Sequence, residues 1–437
     1  MKIFHYGNTA GNGYHNFRIL GEVSDVTSER VLSYSDHCLS SAAWERLDFE
    51  LPDARFFEKA DWSRIDGANE LEALAMDRRL LTGELPTTDG AEEKRNQRTK
   101  RYRYWKRKAG RTPNHLSQDN CADIHIAYGF PVQQIRNPSQ GHFVALEHGT
   151  LRWISRGLES DSAMRQDYRR WLSTVDHLWV TNLDDETVAL AEEILPDRWT
   201  AIPHPYYMDQ SAPYDEDEVL RRYLLQQTQS EFLILMPSSI NFMPDHDKGT
   251  LIALEAFTEL RSQGHPVGLI CIEWGRQVDD LKEILKFRGL DEYVTWTLPM
   301  PRVKLQRFMA SVDVVLDQFR LKAFGGIAFK AMEQGAPLIS RGVTATASVI
   351  IGSVPPYMSA GTADEIVRHV ETLLTVTNSF GRDETRLRYG SPLREWFCKY
   401  HHHGICREIQ LATYRSMIAG NKTDPTPSWS GLVGQFG

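Results

Sequence analysis

The stretch "VDVVLDQFRLKAFGGIAFKAMEQGAPLIS", residues 312–340, decides the fold class. It opens on an apolar, β-branched run that reads as a buried strand. Gly325 and Gly326 then start a segment with apolar residues at helical spacing, Gly335 ends it, and Pro337 leads into a second apolar run. A strand, a helix and a strand over so short a stretch make a βαβ crossover, which lays two strands parallel. The glycine pair matters chemically as well. Amides at a helix start lack partners within the helix and favour an anion, and Lys322 and Lys330 flank the glycines.

The same alternation extends in both directions. Strand-like runs lie at 231–237, 267–275, 293–297, 312–319 and 337–340, with helical patterns such as 248–264 and 277–290 between them. A separate series occupies the first half, at 2–6, 123–129, 142–149 and 177–182. The two are divided by "IPHPYYMDQSAPYDEDEV", residues 202–219, prolines followed by an acidic run, which is linker composition. The expected architecture is therefore α/β: a domain over 1–205, a second over 216–390, a helix at 391–418 crossing back to the first, and a tail at 419–437. Two doubly wound domains of this kind place a ligand cleft at the carboxyl ends of their strands.

Composition excludes several classes. A net charge of −8 argues against a general nucleic-acid binder. No apolar run approaches the ~20 residues that span a bilayer, and "MKIFHYGNTAG" turns glycine-rich too early for a secretory signal. Five scattered cysteines show no metal spacing, so a reducing, cytoplasmic setting is expected. The three histidines at 401–403 have no second ligand group at useful spacing. One segment departs from the acidic trend: residues 94–111 carry ten basic and three aromatic residues. A solvated helix with Tyr102 and Trp105 packed inward competes there with peripheral contact to an anionic membrane.

Four segments hold candidate site residues. "GNTAGNGYHN" follows the first strand and enters a helix, so Gly11, Asn12 and Gly13 form either a tight turn or a ligand loop. "LEHGTLRW" puts Glu147 and His148 just past a strand, where a histidine bonds a hydroxyl, relays a proton, or is merely structural. Lys248 stands at a helix entrance, a position that opposes the helix dipole unless an anion is shared. Its alternative is a solvated lysine beside Asp245 and Asp247. Gly325 and Gly326, opposite Lys248, would complete a phosphate clamp.

The ordered succession "GNTAGNGYHN", "EHGTLRW", "TNLDDE", "IPHPYYMD", "MPSS", "EWGR", "VDVVLDQF…FGGIAFKAMEQGAPLI" and "GSPLREWFCKYHHHGICREIQLATYRSM" resembles the retaining, GT-B-fold glycosyltransferases of family 4, from residue 1 to about 418. It is similar to the subgroup with Asp-Gln after the late strand, where other members carry the first glutamate of a Glu, seven residues, Glu motif. The resemblance implies two Rossmann-like domains facing a cleft and sugar transfer from a nucleotide diphosphate sugar, with no obligatory metal, to a glycan, lipid-linked or other acceptor. It implies Gly11 to Gly13 beside diphosphate and acceptor, His148 near the donor sugar, and Lys248, Arg276, Gly325 and Gly326 around the diphosphate. Two positions depart. An expected arginine after Pro-Ser is Ser239, and the glutamate expected to bond the ribose is Lys330, which can only donate. Lys330 then serves an anion of the donor or pairs with Glu333 one turn on; otherwise the chain is a catalytically inactive sugar-binding or assembly partner.

Overall fold

The computed structural model describes residues 1–7, 11–32, 37–60, 64–66, 68, 122–128, 141–147, 149, 151–152, 154, 162–208, 213–242, 247–420 and 427–436. His148 and residues 94–111 lie outside them.

Two six-stranded sheets, every strand parallel to its neighbours, form the framework. The first holds β1 (Lys2–Tyr6), β2 (Thr27–Leu32), β3 (Ile124–Tyr128), β4 (His142–Leu146), β5 (His177–Val180) and β6 (Trp199–Ala201), in the order β2-β1-β3-β4-β5-β6. The second holds β7 (Phe232–Met236), β8 (Val267–Ile272), β9 (Val294–Thr297), β10 (Val314–Leu316), β11 (Leu338–Ser340) and β12 (Met358–Ser359), in the order β12-β11-β10-β7-β8-β9.

Central strands such as β7, "FLILM", are buried along their whole length. Helices on both faces of a parallel sheet demand such unbroken apolar runs. The strands that no apolar run announces are β2, β6 and β12, and all three are sheet edges. An edge strand has only one bonded neighbour and tolerates short or polar sequence, as in "TSERVL" and "WTA". The acid in "VDVVL" also has its reason. Buried Asp313 accepts from the Leu233 amide at 2.7 Å and pairs with Arg221 and Arg382 at 3.0 and 3.1 Å.

Order reverses between β1 and β3 in the first sheet and between β7 and β10 in the second. Crossovers leave those strand pairs in opposite directions, so a crevice opens at their carboxyl ends. The helices Ser391–Tyr400 and His403–Ala419 return the chain to the first sheet. There Asn16 and Gln410 exchange amide bonds at 2.9 and 2.8 Å, and the Trp179 indole donates to the Tyr414 hydroxyl at 2.9 Å. No helix among the described residues is long and apolar enough to cross a membrane.

Each member of the histidine run has a place in this packing. His401 lies among Phe329, Phe397 and Trp429 and accepts the His204 amide at 3.2 Å. His402 caps the last long helix through the Gly404 amide at 3.0 Å, and His403 stacks on Tyr207. Part of the tail packs here too, with the Trp429 indole donating to the Tyr400 carbonyl at 2.6 Å.

Burial holds His401 down to about 3, and it holds His177 and His403 down to about 4. The unfolded chain protonates such imidazoles near pH ~6.5, so below that pH it binds more protons and stability falls on acidification. His401→Phe keeps the stacking but cannot take a proton. We expect the variant to lose less melting temperature than wild type between pH 7 and 4.5, after a cost of about 1 kcal/mol at neutral pH for the orphaned His204 amide. An unchanged pH slope would remove His401 from the titrating groups.

Candidate active site

At the switch point of the second sheet, β7 runs into Pro237 and Ser238 while β10 runs into Asp317 and Gln318. Ser238 Oγ donates to Asp317 Oδ1 at 2.8 Å. Ser239, the next residue, is buried as well. Burial pushes the Asp317 carboxyl above its ordinary value, against the pull of Lys248, Ser238 and the Gln318 and Ala328 amides. Its Oδ2 would lie 3.4 Å from a Cβ added at Gly325, so it meets the start of the Gly326–Glu333 helix.

Lys248 joins this group. Its ammonium donates to Gln318 Oε1 at 3.0 Å, and Gln318 in turn donates to the Ala323 carbonyl. Burial lowers the Lys248 pKa, Asp317 opposes that, and Arg152 adds to it. Gly249 stands next to it at φ 86°, where a Cβ would come within 2.7 Å of Phe319 Cβ. Only glycine lets the Thr250–Ser262 helix begin so close to the end of β10. Asp247 is occupied by the Gly249 amide at 2.7 Å and Arg320 at 3.1 Å, so it is not the partner that holds Lys248.

Arg276 is exposed past β8, its backbone amide bonded to Asn241 Oδ1 at 3.0 Å.

The first sheet supplies the opposing wall. Glu147 follows β4, is 1% exposed, and accepts from Asn182 at 3.3 Å. Burial pushes its carboxyl up while Arg152 and Asn182 pull it down. Arg152 lies 3.7 Å from Asp184, and its charge bears on both Glu147 and Lys248. The two sheets' carboxyl ends therefore share one electrostatic environment. Bonds from Thr344 to the Leu183 carbonyl at 2.8 Å and from Thr346 to Asp185 at 2.6 Å tie the walls together.

Gly11, at φ 80°, caps the Asn12–Leu20 helix, in which Asn12 and Gly13 are buried. A Cβ on Gly11 would sit 3.4 Å from Glu45 Oε1, so a carboxylate of this chain already faces that helix start. The Tyr207 amide donates to His15 Nδ1 at 3.2 Å, which leaves the proton on Nε2, directed at Glu45 at 3.2 Å. Burial alone would raise the Glu45 pKa, but Lys330, His15 and Arg302 pull it well below the ordinary carboxylate range.

Lys330 thus looks across the molecule. It is half-buried, 5.7 Å above the Tyr206 ring, with Nζ 3.8 Å from a Cβ placed on the exposed Gly326. Burial lowers its pKa and Glu45 is the strongest opposing group. The alternative partner, Glu333, is taken by Arg302 at 2.9 Å, by the Tyr206 hydroxyl at 2.6 Å and by Gln306. Lys322 is exposed.

Glu45 and Arg302 lie in no motif of the sequence, and Arg152 and Tyr206 lie within "EHGTLRW" and "IPHPYYMD" without being singled out there. Glu45 lies in "SSAAWERL", whose only signal is Ser41 as a helix cap.

No family model matches the chain. A 2-deoxystreptamine glucosyltransferase of Streptomyces kanamyceticus is 28% identical over 131 residues, which is 30% of this chain and 34% of that one. The match thus spans about a third of that relative's length. Sucrose-phosphate synthase from Thermosynechococcus elongatus superposes with a TM-score of 0.58 at 11% identity, covering 96% of this chain and 99% of its own. HepE from Anabaena, in complex with UDP, gives 0.56 at 12% identity, covering 95% and 100%. WaaG, a glycosyltransferase involved in lipopolysaccharide biosynthesis, gives 0.54 at 14% identity, covering 93% and 98%. The fold is GT-B: two Rossmann-like, doubly wound lobes facing a cleft.

The Glu45–Lys330 relation generates a measurable coupling. Glu45→Gln and Lys330→Gln should each destabilise the protein, and the double variant should lose less than their sum by on the order of 1–3 kcal/mol in a denaturant cycle. Additive losses would mean that the two charges do not interact.

Proposed function

We propose that the chain is a retaining glycosyltransferase that moves a sugar from a nucleotide diphosphate sugar to a carbohydrate or lipid-linked acceptor. One observation carries this reading. Lys248, fixed by Gln318 beside Asp317, stands with the Gly325–Gly326 helix start at the switch point of the second sheet, within the field of Arg152 on the first. The resemblance to family 4, the UDP-bound structural neighbour and the short glucosyltransferase match support it.

In this reading the leaving diphosphate gathers negative charge that Lys248 and the amides at Gly325–Gly326 meet without an obligatory metal. Such fixed donors do not need to reorganise during reaction. Arg276 adds charge from the loop after β8, and Ser239 leaves that side one cation short. Glu147 and His148 face the donor sugar, while Gly11, Asn12 and Gly13 border the acceptor. Lys330, with Glu45 opposite, replaces the usual ribose contact and makes the donor pocket atypical. Residues 94–111 bring a lipid-linked acceptor's membrane surface to the enzyme. That contact predicts vesicle binding that grows with anionic lipid and falls steeply with salt. Salt-independent binding would leave those residues a solvated segment.

Isothermal titration against nucleoside diphosphates tests the donor site. Lys248→Ala should weaken diphosphate binding by on the order of 1.5–3 kcal/mol, with little effect on the free nucleoside. Equal losses for both would move Lys248 away from the phosphates. Lys330→Glu should abolish nucleotide binding, because it sets a second carboxylate against Glu45 and removes a cation that Ser239 does not supply. Tighter binding by that variant would instead mark a degraded copy of an ordinary transferase. Product anomers resolved by NMR test retention directly.

A further inference from the structure

The helix Arg302–Ser311 sends three cations toward one short stretch of the first lobe. Arg302 lies 3.8 Å from Glu45, Lys304 pairs with Glu50, and Arg307 pairs with Asp48. The three differ in setting. Arg302 and Glu45 are buried, whereas the Glu50 carboxylate is 84% exposed and both members of the Asp48–Arg307 pair are open to water. Exposed pairs gain little and are screened by salt, while a buried charge is held firmly to its partner. One end of this seam is therefore fixed and the other is loose.

The stretch belongs to a module with its own core. Cys38, Ala43, Trp44, Phe56 and Phe57 pack together apart from the two larger cores, and the Cys38 amide donates to the Phe57 carbonyl at 3.1 Å. A satellite cluster of this kind shifts as a unit. Among the described residues, Trp274 is the only apolar residue of the second lobe packed against it, its ring centre 5.6 Å from that of Phe57 at an interplanar angle of 82°.

Trp274 in turn supports the turn after β7. Its indole donates to the Pro237 carbonyl at 3.0 Å and its carbonyl accepts the Ile240 amide at 2.9 Å, so the turn bearing Ser238 and Ser239 rests on it. Gln277 closes the same turn, donating its amide to the Ile240 carbonyl at 3.1 Å and accepting the Phe242 amide at 3.0 Å. The loose end of the seam thus finishes on residues at the carboxyl edge of the second sheet.

We propose that this seam is the opening edge of the cleft, a latch that parts at Asp48–Arg307, Glu50–Lys304 and Phe57–Trp274 while Arg302 and Glu45 hold as the pivot. Parting takes the module away from Trp274 and loosens the turn at 238–242, and salt sets how often it happens. The device does not depend on which ligand the cleft takes.

Hydrogen–deuterium exchange of the ligand-free full chain tests this. In wild type, exchange at 238–242 and 274–277 should rise severalfold between ~0.02 and ~0.5 M salt, while exchange within 326–333, on the pivot side, stays unchanged. Asp48→Arg combined with Glu50→Arg should give the fast exchange at low salt and no longer speed up with salt. Arg307→Glu combined with Lys304→Glu should do the same. Joining all four substitutions restores opposite charges and should return the slow, salt-dependent pattern, which a locally misfolded variant cannot produce. Fast exchange persisting with all four substitutions would overturn the proposal. So would salt-independent exchange in wild type, or equal acceleration at 326–333.

Discussion

Arg302 is the residue on which the arrangement of the two lobes depends. It is 2% exposed, and its guanidinium bonds both Glu333 oxygens at 3.1 and 2.9 Å and the Tyr207 carbonyl at 3.1 Å. It also lies 3.8 Å from Glu45 and 4.3 Å from the centre of the Tyr206 ring. One cation therefore touches the helix bearing Lys330, the segment connecting the lobes and a helix of the first lobe. A buried charge that loses its partner is far more costly than the pair is stabilising. Any relative movement of the lobes must keep this group satisfied, which restricts them to arrangements where Glu45 stays near Glu333 and Lys330.

That constraint changes what Lys330 means. As a sequence feature it is a lysine in a slot where a carboxylate is expected. In the fold, a carboxylate is present nearby, but it comes from Glu45 on the opposite lobe, held by His15 at 3.2 Å. The pair accounts for a lysine at that position and sets a carboxylate of the first lobe against the helix that carries it.

Much of the fold was legible because parallel sheets buried on both faces leave unbroken apolar runs, as at "FLILM" and "VGLICI". Three of the four edge strands escaped because one neighbour suffices to hold a sequence such as "TSERVL". The helix starts that glycines mark in the sequence, at Gly11, Gly249 and Gly325, are helix starts in the fold. The side chains that meet there were harder to read. The Ser238–Asp317 bond joins the ends of two strands 79 positions apart in sequence. Glu45, His15 and Arg302 converge from separations of 30 to 287 positions, and nothing local to any of them signals the others. The histidine run shows the converse: a conspicuous string whose members each serve aromatic packing or a helix cap.

In the proposed function, the carboxyl ends of both sheets form one nucleotide-sugar site. Hydrogen–deuterium exchange, with and without the nucleoside diphosphate that most raises the melting temperature, tests it most directly. The account predicts slowed exchange at 236–242, 247–252 and 317–330 in the second lobe together with 11–16 and 147–152 in the first. Slowing confined to one lobe would contradict it.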